Sequence, residues 1–325
     1  MSVSPILKVE DLKMHFPVST SLFGRNPGIV KAVDGVSLEI AQGETFGLVG
    51  ESGCGKTTVG KCILRILRPT AGKISYNGKD ITHSSRRELG SVRREIQMIF
   101  QDPYGSLDPR QSAGSIIKEA ITCGEQKYSK NELADRVDEL LTLVELYPHM
   151  KGRFPHEMSG GQRQRLGIAR TLACDPKLIV CDEPVSALDV SIQAQIINLF
   201  WNLQKKLGLN YLFVAHDLAV VRHIAETIGV MYLGKIVEVI DAEIIYTNPM
   251  HPYTKALLSA VPTTDYHEER QRSRVILQGE VPSPMNVPSG CPFHPRCPQA
   301  IAMCKEAMPQ LKKIDDAHSV ACHNI

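Results

Sequence analysis

The most restrictive feature of this chain is an apolar run, Glu44 to Gly50, that feeds without interruption into Gly50-Glu51-Ser52-Gly53-Cys54-Gly55-Lys56-Thr57-Thr58. The spacing is G-x-x-x-x-G-K-[ST], a buried strand followed by a phosphate loop and a helix start. Wrapping a triphosphate needs backbone N–H groups turned inward, and Gly50, Gly53 and Gly55 permit the backbone angles and close approach this requires. Lys56 reaches the β- and γ-phosphates, Thr57 is placed for Mg²⁺, and the helix that opens here points its positive end at the anion. A plain glycine turn ending a strand is the competing reading, so the rest of the chain must decide.

The length, 325 residues, suits a full α/β core with one appendage, and two domains are expected. A formal net charge of +2 gives no sequence-wide basic field for nucleic acid or an anionic membrane surface. No run approaches the ~18 apolar residues that would span a bilayer, and the N-terminus lacks the basic-then-apolar order of a signal peptide. Any membrane role is therefore expected through a partner. The cysteine count is odd at nine, and Cys54 lies inside the phosphate loop, which favours a reducing compartment.

Residues 6–16 loosely alternate apolar and polar and read as an edge strand ending on Phe16, an aromatic that either stacks on adenine or packs at a strand end. Ser19 to Gly28 reads as a surface loop, Val33 to Ile40 as a strand, Val59 to Leu67 as a helix stopping before Pro69, and Lys73 to Tyr76 as a strand leading into a Tyr-Asn-Gly-Lys turn. Arg86, Arg87, Arg93 and Arg94 form a local basic face, expected to be a solvated helix surface.

Ile96 to Phe100 is an apolar strand ending at Gln101, either a mere terminator or a side chain facing a ligand crevice at the carboxyl edge of a sheet. Residues 112–146 give two helical patterns and look like an insertion into the α/β core. Ser159-Gly160-Gly161-Gln162 then opens a helix running to about Ala173. Its exposed amides suit a phosphate, and its serine equally suits an N-cap. Leu178 to Cys181 is a buried-type strand delivering Asp182 and Glu183 to its carboxyl end, where one carboxylate can hold the Mg²⁺ shell and the other can orient or deprotonate water. Ser186 to Asp189 is a tight loop into a helix from Val190 to about Leu207, and the strand Tyr211 to Ala215 ends at His216, placed for a γ-phosphate contact.

Together these motifs make the first 250 or so residues resemble the ATPase subunit of an ABC transporter, an α/β P-loop NTPase with an antiparallel β edge subdomain and a helical subdomain at about 104–172. The resemblance implies Phe16 as the adenine-stacking aromatic, Gly50 to Thr58 as Walker A, Gln101 as the Q-loop, and Ser159 to Gln162 as the signature, with Met158 where leucine is usual. It further implies Asp182 and Glu183 as Walker B, Asp189 as the D-loop aspartate, His216 as the switch histidine, and Thr57, Gln101 and Asp182 around Mg²⁺, with Glu183 and His216 catalytic. Such subunits work as dimers, each ATP lying between one chain's P-loop and the other's signature, so a single chain should be a poor ATPase.

The stretch Asn248-Pro249-Met250-His251-Pro252-Tyr253-Thr254-Lys255-Ala256-Leu257-Leu258, with Tyr104 to Pro109, resembles the oligopeptide, dipeptide and nickel group of ABC importers, and most of all their second ATPase subunit. Implied partners are a related ATPase, two membrane permeases and an extracytoplasmic solute-binding protein, with no nucleic acid. The implied place is the cytoplasmic face of the cell membrane. Residues 251–325 form a small Cys/Pro-rich extension with Cys291-x5-Cys297-x6-Cys304-x17-Cys322, whose spacing leans toward a [4Fe-4S] cluster, with zinc or inert thiols as alternatives. Competing functions are import of nickel or another small solute, a soluble ABC ATPase acting on ribosomes or DNA, and a P-loop kinase or GTPase. The last leaves Ser159 to Gln162 unexplained.

Overall fold

The computed structural model describes residues 4–18, 28–124, 128–261 and 277–325. They gather into two compact units: one holds the described residues of Met1–Ala41, Thr45–His83 and Ala215–Ile325, the other those of Gln42–Glu44 and Ser84–Val214.

The first unit opens with β1 (Leu7–Val18) and β2 (Gly28–Ile40), antiparallel along their whole length from Leu7 opposite Ile40 to Val18 opposite Gly28. β3 (Thr45–Val49) is buried at every residue and runs into the glycine loop, which gives way to α1 (Lys56–Ile63). β4 (Ala71–Tyr76) turns through Asn77 and Gly78, both at positive φ (46° and 74°), into β5 (Lys79–Asp80). Two left-handed residues in a row make the tight hairpin that an Asn-Gly pair encodes. The sheet order is β2-β1-β4-β5. β1 is therefore an interior strand and not the expected edge: Leu7 lies opposite Ile40 on one side and Tyr76 on the other. Its blurred alternation reflects register shifts between Val9 and Leu12, where bulges turn consecutive side chains off the regular two-residue period. The loop read at Ser19 to Gly28 falls, apart from Gly28, outside the described residues.

The second unit contributes α2 (Leu89–Glu95), β6 (Ile96–Ile99), α3 (Pro103–Ser106), α4 (Ala113–Thr122), α5 (Lys130–Leu143), α6 (Gly160–Leu172), β7 (Leu178–Asp182), α7 (Val190–Leu207) and β8 (Asn210–Ala215). β6, β7 and β8 are parallel, Ile96 pairing with Leu178 and Leu178 with Asn210. Arg86, Arg87 and Arg93 are exposed, as a solvated basic face requires. Ser112 caps α4, and Ser129 with Glu132 forms a reciprocal capping box on α5, so both helices start where a side-chain oxygen satisfies a free amide. Apolar residues at helical spacing, Leu133, Val137, Leu140 and Leu141, give α5 its buried face. Phe200 of α7 meets Tyr211 and Phe213 of β8 edge-on, with ring centroids 5.5 and 5.9 Å apart.

Returning to the first unit, the chain adds α8 (Leu218–Arg222), β9 (Thr227–Tyr232), β10 (Lys235–Asp241), α9 (Pro252–Ala260), β11 (Lys312–Lys313) and β12 (His318–Val320). Within this unit β11, β12, β10, β9 and β3 follow one another in a sheet, so the last strand of the tail shares a sheet with the strand that feeds the glycine loop. One buried carboxylate ties these pieces. Glu238, 0 % exposed, accepts N–H bonds from Met250 (2.7 Å) and His251 (3.1 Å), and lies 2.6 Å from Nε2 of the buried His318.

His251 in turn caps α9, its Nδ1 accepting the Tyr253 N–H at 3.1 Å. Burial pushes this imidazole down to about 3 from 6.5, with Lys255 adding to the shift. Between those values the unfolded chain binds the extra proton and the folded chain does not, so stability is complete above pH 6.5 and falls on acidification. The expected loss from this one group is about 1.4 kcal/mol per pH unit. Urea unfolding at pH 7 and pH 5 checks it: His251→Asn keeps a capping oxygen but does not titrate, and the difference between the two pH values should shrink by about 2 kcal/mol.

Candidate nucleotide site

In the first unit the glycine loop has the shape the sequence asks for. Gly55 ends it at φ 108°, and a Cβ there would stand 2.1 Å from the carbonyl oxygen of Ala32, so only glycine fits. Cys54 and Lys56 are buried, whereas Ser52 and Gly53 are exposed at the loop's crest. Lys56 folds back over the loop: Nζ donates to the carbonyls of Gly50 (2.7 Å) and Glu51 (3.0 Å) and lies 3.8 Å from Cys54 Sγ. Burial raises the Cys54 thiol, and the neighbouring ammonium partly offsets that shift. Thr57 and Thr58, in the first turn of α1, are half-buried.

Phe16 sits half-buried on β1 opposite Val30, and His216 is exposed just after β8. Both belong to the same unit as the glycine loop. One set of contacts was not legible in the sequence. The Glu51 N–H donates to Tyr253 Oη at 2.9 Å, and both terminal nitrogens of Arg296 reach the Glu51 carboxylate at 2.8 and 3.0 Å. Nothing local signals a pairing across 245 residues; the only hint is an arginine set beside the tail's cysteines.

The second unit carries the remaining motif residues. Asp182 closes β7 and is 4 % exposed. Glu183 follows with φ 46°, its N–H donating to the Val214 carbonyl at 2.9 Å. This left-handed turn sets the Glu183 side chain half-buried, and Gln101 Nε2 donates to its Oε2 at 3.0 Å. The structure thus joins two residues placed 82 positions apart. Ser159 is the N-cap of α6 and exchanges bonds with Gln162: the Gln162 N–H reaches Ser159 Oγ at 3.3 Å and the Ser159 N–H reaches Gln162 Oε1 at 3.0 Å. Ser159 and Gly160 are exposed, while Met158 is 3 % exposed and fills a core position. The capping reading is thus met, by a reciprocal capping box. Asp189 caps α7 without a side-chain bond and is exposed beside Val190, which is 81 % exposed.

Oxygen donors are what Mg²⁺ takes, and Thr57, Gln101 and Asp182 supply hydroxyl, amide and carboxylate oxygens. The tail is a different case. Cys291 and Cys304 are buried, Cys297 and Cys322 half-buried, and burial pushes the Cys291 thiol up to about 11, with the other three thiols adding to the rise. Among the described residues, no three His, Cys, Asp or Glu side chains are grouped to hold a metal ion. That geometry supports neither the expected [4Fe-4S] cluster nor the zinc alternative.

A glycine loop after a buried strand, with an Asp-Glu pair at the end of a parallel strand, defines a P-loop ATPase. Residues 33–186 match the ABC transporter family, and residues 237–304 match the oligopeptide/dipeptide transporter C-terminal region. The oligopeptide transport ATP-binding protein AppF of Bacillus subtilis is 54% identical over 98% of this chain and 97% of its own length. OppF of Salmonella typhimurium, another oligopeptide transport ATP-binding protein, is 50% identical over 98% and 95%. Among solved structures, the ATP-binding cassette MJ0796, a dimer in a post-hydrolysis state with ADP and Pi, matches with TM-score 0.65 and 28% identity over 73% of this chain and 98% of that one. The chain belongs to the ABC transporter ATPases that carry an oligopeptide/dipeptide transporter C-terminal region. Subunits of this kind hydrolyse ATP to drive transport.

Proposed function

We propose that this chain is the ATP-hydrolysing subunit that energises import of di- and oligopeptides through a membrane ABC transporter. The observation that carries the reading is the coincidence, in one chain, of the Walker-type loop and acidic strand end with a tail of the peptide-transporter type. In this reading Gly50 to Thr58 cradle the phosphates and Thr57, Asp182 and Gln101 face Mg²⁺. Glu183 orients the attacking water, with His216 at the γ-phosphate, Phe16 on adenine, and Asp189 and Ser159 to Gln162 acting across a dimer of ATPase subunits. The dimeric post-hydrolysis cassette supports such an arrangement, and the exposure of Ser159, Gly160, Asp189 and Val190 suits surfaces that a second subunit covers. The partner is a related ATPase, and two permeases and an extracytoplasmic solute-binding protein complete the machine. Among the described residues no helix is long and apolar enough to cross a membrane; in this reading the chain attaches through the permeases at the cytoplasmic face.

Residues 1–250 form the nucleotide-binding domain, with its helical part at about 104–172, and 251–325 form the Cys/Pro-rich extension. Iron, zinc and acid-labile sulfide on protein purified without oxygen decide the state of Cys291, Cys297, Cys304 and Cys322. About four iron and four sulfide per chain, lost in Cys291→Ser, would establish a cluster on these residues, one zinc per chain would establish a zinc site, and neither metal would leave four free thiols.

Uptake by intact cells in which Lys56 is replaced tests the substrate class. Loss of labelled peptide uptake with nickel uptake unchanged fits the proposal. Loss of nickel uptake alone contradicts it in favour of the metal-importing relatives, and unchanged uptake of both favours a soluble ABC ATPase.

A further inference from the structure

The tail takes hold of the phosphate loop at one residue, Glu51. Its N–H donates to Tyr253 Oη at 2.9 Å, and its carboxylate receives Arg296 Nη1 and Nη2 at 2.8 and 3.0 Å. Its carbonyl, in turn, is one of the two that Lys56 Nζ holds. Arg296 is no loose surface partner: its side chain is 8 % exposed, and Nη1 also stands 3.5 Å from Tyr232 Oη. Tyr232, Tyr253 and Phe293 pack against one another at ring-centroid distances of 4.8 to 5.4 Å, giving both polar groups a rigid backing. A bidentate guanidinium–carboxylate pair fixes orientation as well as distance.

We propose that Arg296 and Tyr253 are positioning residues of the nucleotide site, through which the C-terminal extension sets the shape and charge of the phosphate loop. Two effects act together. Clamping the Glu51 peptide and side chain fixes the carbonyl on which Lys56 rests, so the lysine is pre-placed for the phosphates. Neutralising the Glu51 carboxylate removes a negative charge from beside a polyphosphate, where it would oppose binding. A tail that were only a structural staple would bear on the sheet, through β12 and Glu238, and would not need a charged pair on this loop.

The inference rests on the ATPase reading, and the test separates the two. Calorimetry measures MgATP binding to the full chain. Arg296→Ala is expected to weaken it on the order of tenfold, with Arg296→Lys recovering part of the loss. In a Glu51→Gln background, Arg296→Ala should cost less than about threefold, because the carboxylate it neutralised is gone. Tyr253→Phe keeps the ring and removes only the hydroxyl, so it remains informative if Arg296→Ala fails to fold; an affinity loss of about threefold is expected. Arg296→Ala or Tyr253→Phe protein that melts earlier yet binds MgATP as the parent does would overturn the proposal and leave a staple. A parent chain that binds no MgATP removes the ATPase reading and this proposal with it.

Discussion

Replacing Glu183 by glutamine is expected to leave MgATP binding intact and to lower ATP turnover on the order of 10²-fold or more. The residue's position supports so selective an effect. Glu183 is not part of the glycine loop, and its backbone is anchored independently by the bond to Val214. Its side chain is half-buried and held by Gln101, where a carboxylate is oriented without being neutralised by a cation in that contact. The amide of glutamine preserves size and most hydrogen bonding but cannot accept a proton from water. Single-turnover phosphate release on the chain with the proposed partner ATPase, beside nucleotide binding on the same preparation, checks both halves. Near-normal hydrolysis in the variant would remove Glu183 from the role assigned to it.

Lys56→Ala, in contrast, should act on binding itself, weakening MgATP affinity on the order of 10²-fold. Lys56 is 4 % exposed and its ammonium lies against two loop carbonyls and a thiol, so alanine takes away the cation and leaves those carbonyls without their donor. Loss of an interaction with a multiply charged anion in a partly buried loop is worth far more than a surface ion pair. Calorimetric titration with MgATP gives the comparison. An affinity within threefold of the parent would mean that the loop does not bind phosphate through Lys56.

Local signals account for much of what the sequence foretold. The continuous apolar run at Leu178 to Cys181 became a buried parallel strand, Asn77-Gly78 became a tight hairpin, and the spacing from Val190 to Leu207 gave α7 its full length. Each of these rests on residues within one element. Misreadings arose where a neighbour decides. The helix read to Leu67 ends at Ile63, because Arg65 takes φ 55° and the N–H groups of Ile66 and Leu67 turn back to the Lys61 carbonyl, well before Pro69. β2 begins at Gly28 and not at Val33 because β1 supplies a pairing edge that far. The motif residues were legible singly, since each lies at a strand end or helix start that its own sequence announces. The grip of Arg296 and Tyr253 on Glu51 was not, because a contact between a tail and a loop leaves no periodic trace in either. Cysteine spacing foretold a metal centre in the tail that the arrangement of the described residues does not by itself support.

The decisive measurement is uptake of a labelled oligopeptide into proteoliposomes that hold this chain with its permease subunits, with the proposed solute-binding protein outside and ATP supplied on the face where the chain sits. ATP-dependent accumulation above the outside concentration, abolished when Lys56 or Glu183 is replaced in this chain alone, is the result expected. Accumulation that proceeds unchanged with either variant, or that needs no ATP, would contradict the assignment of this chain as the subunit that powers peptide import.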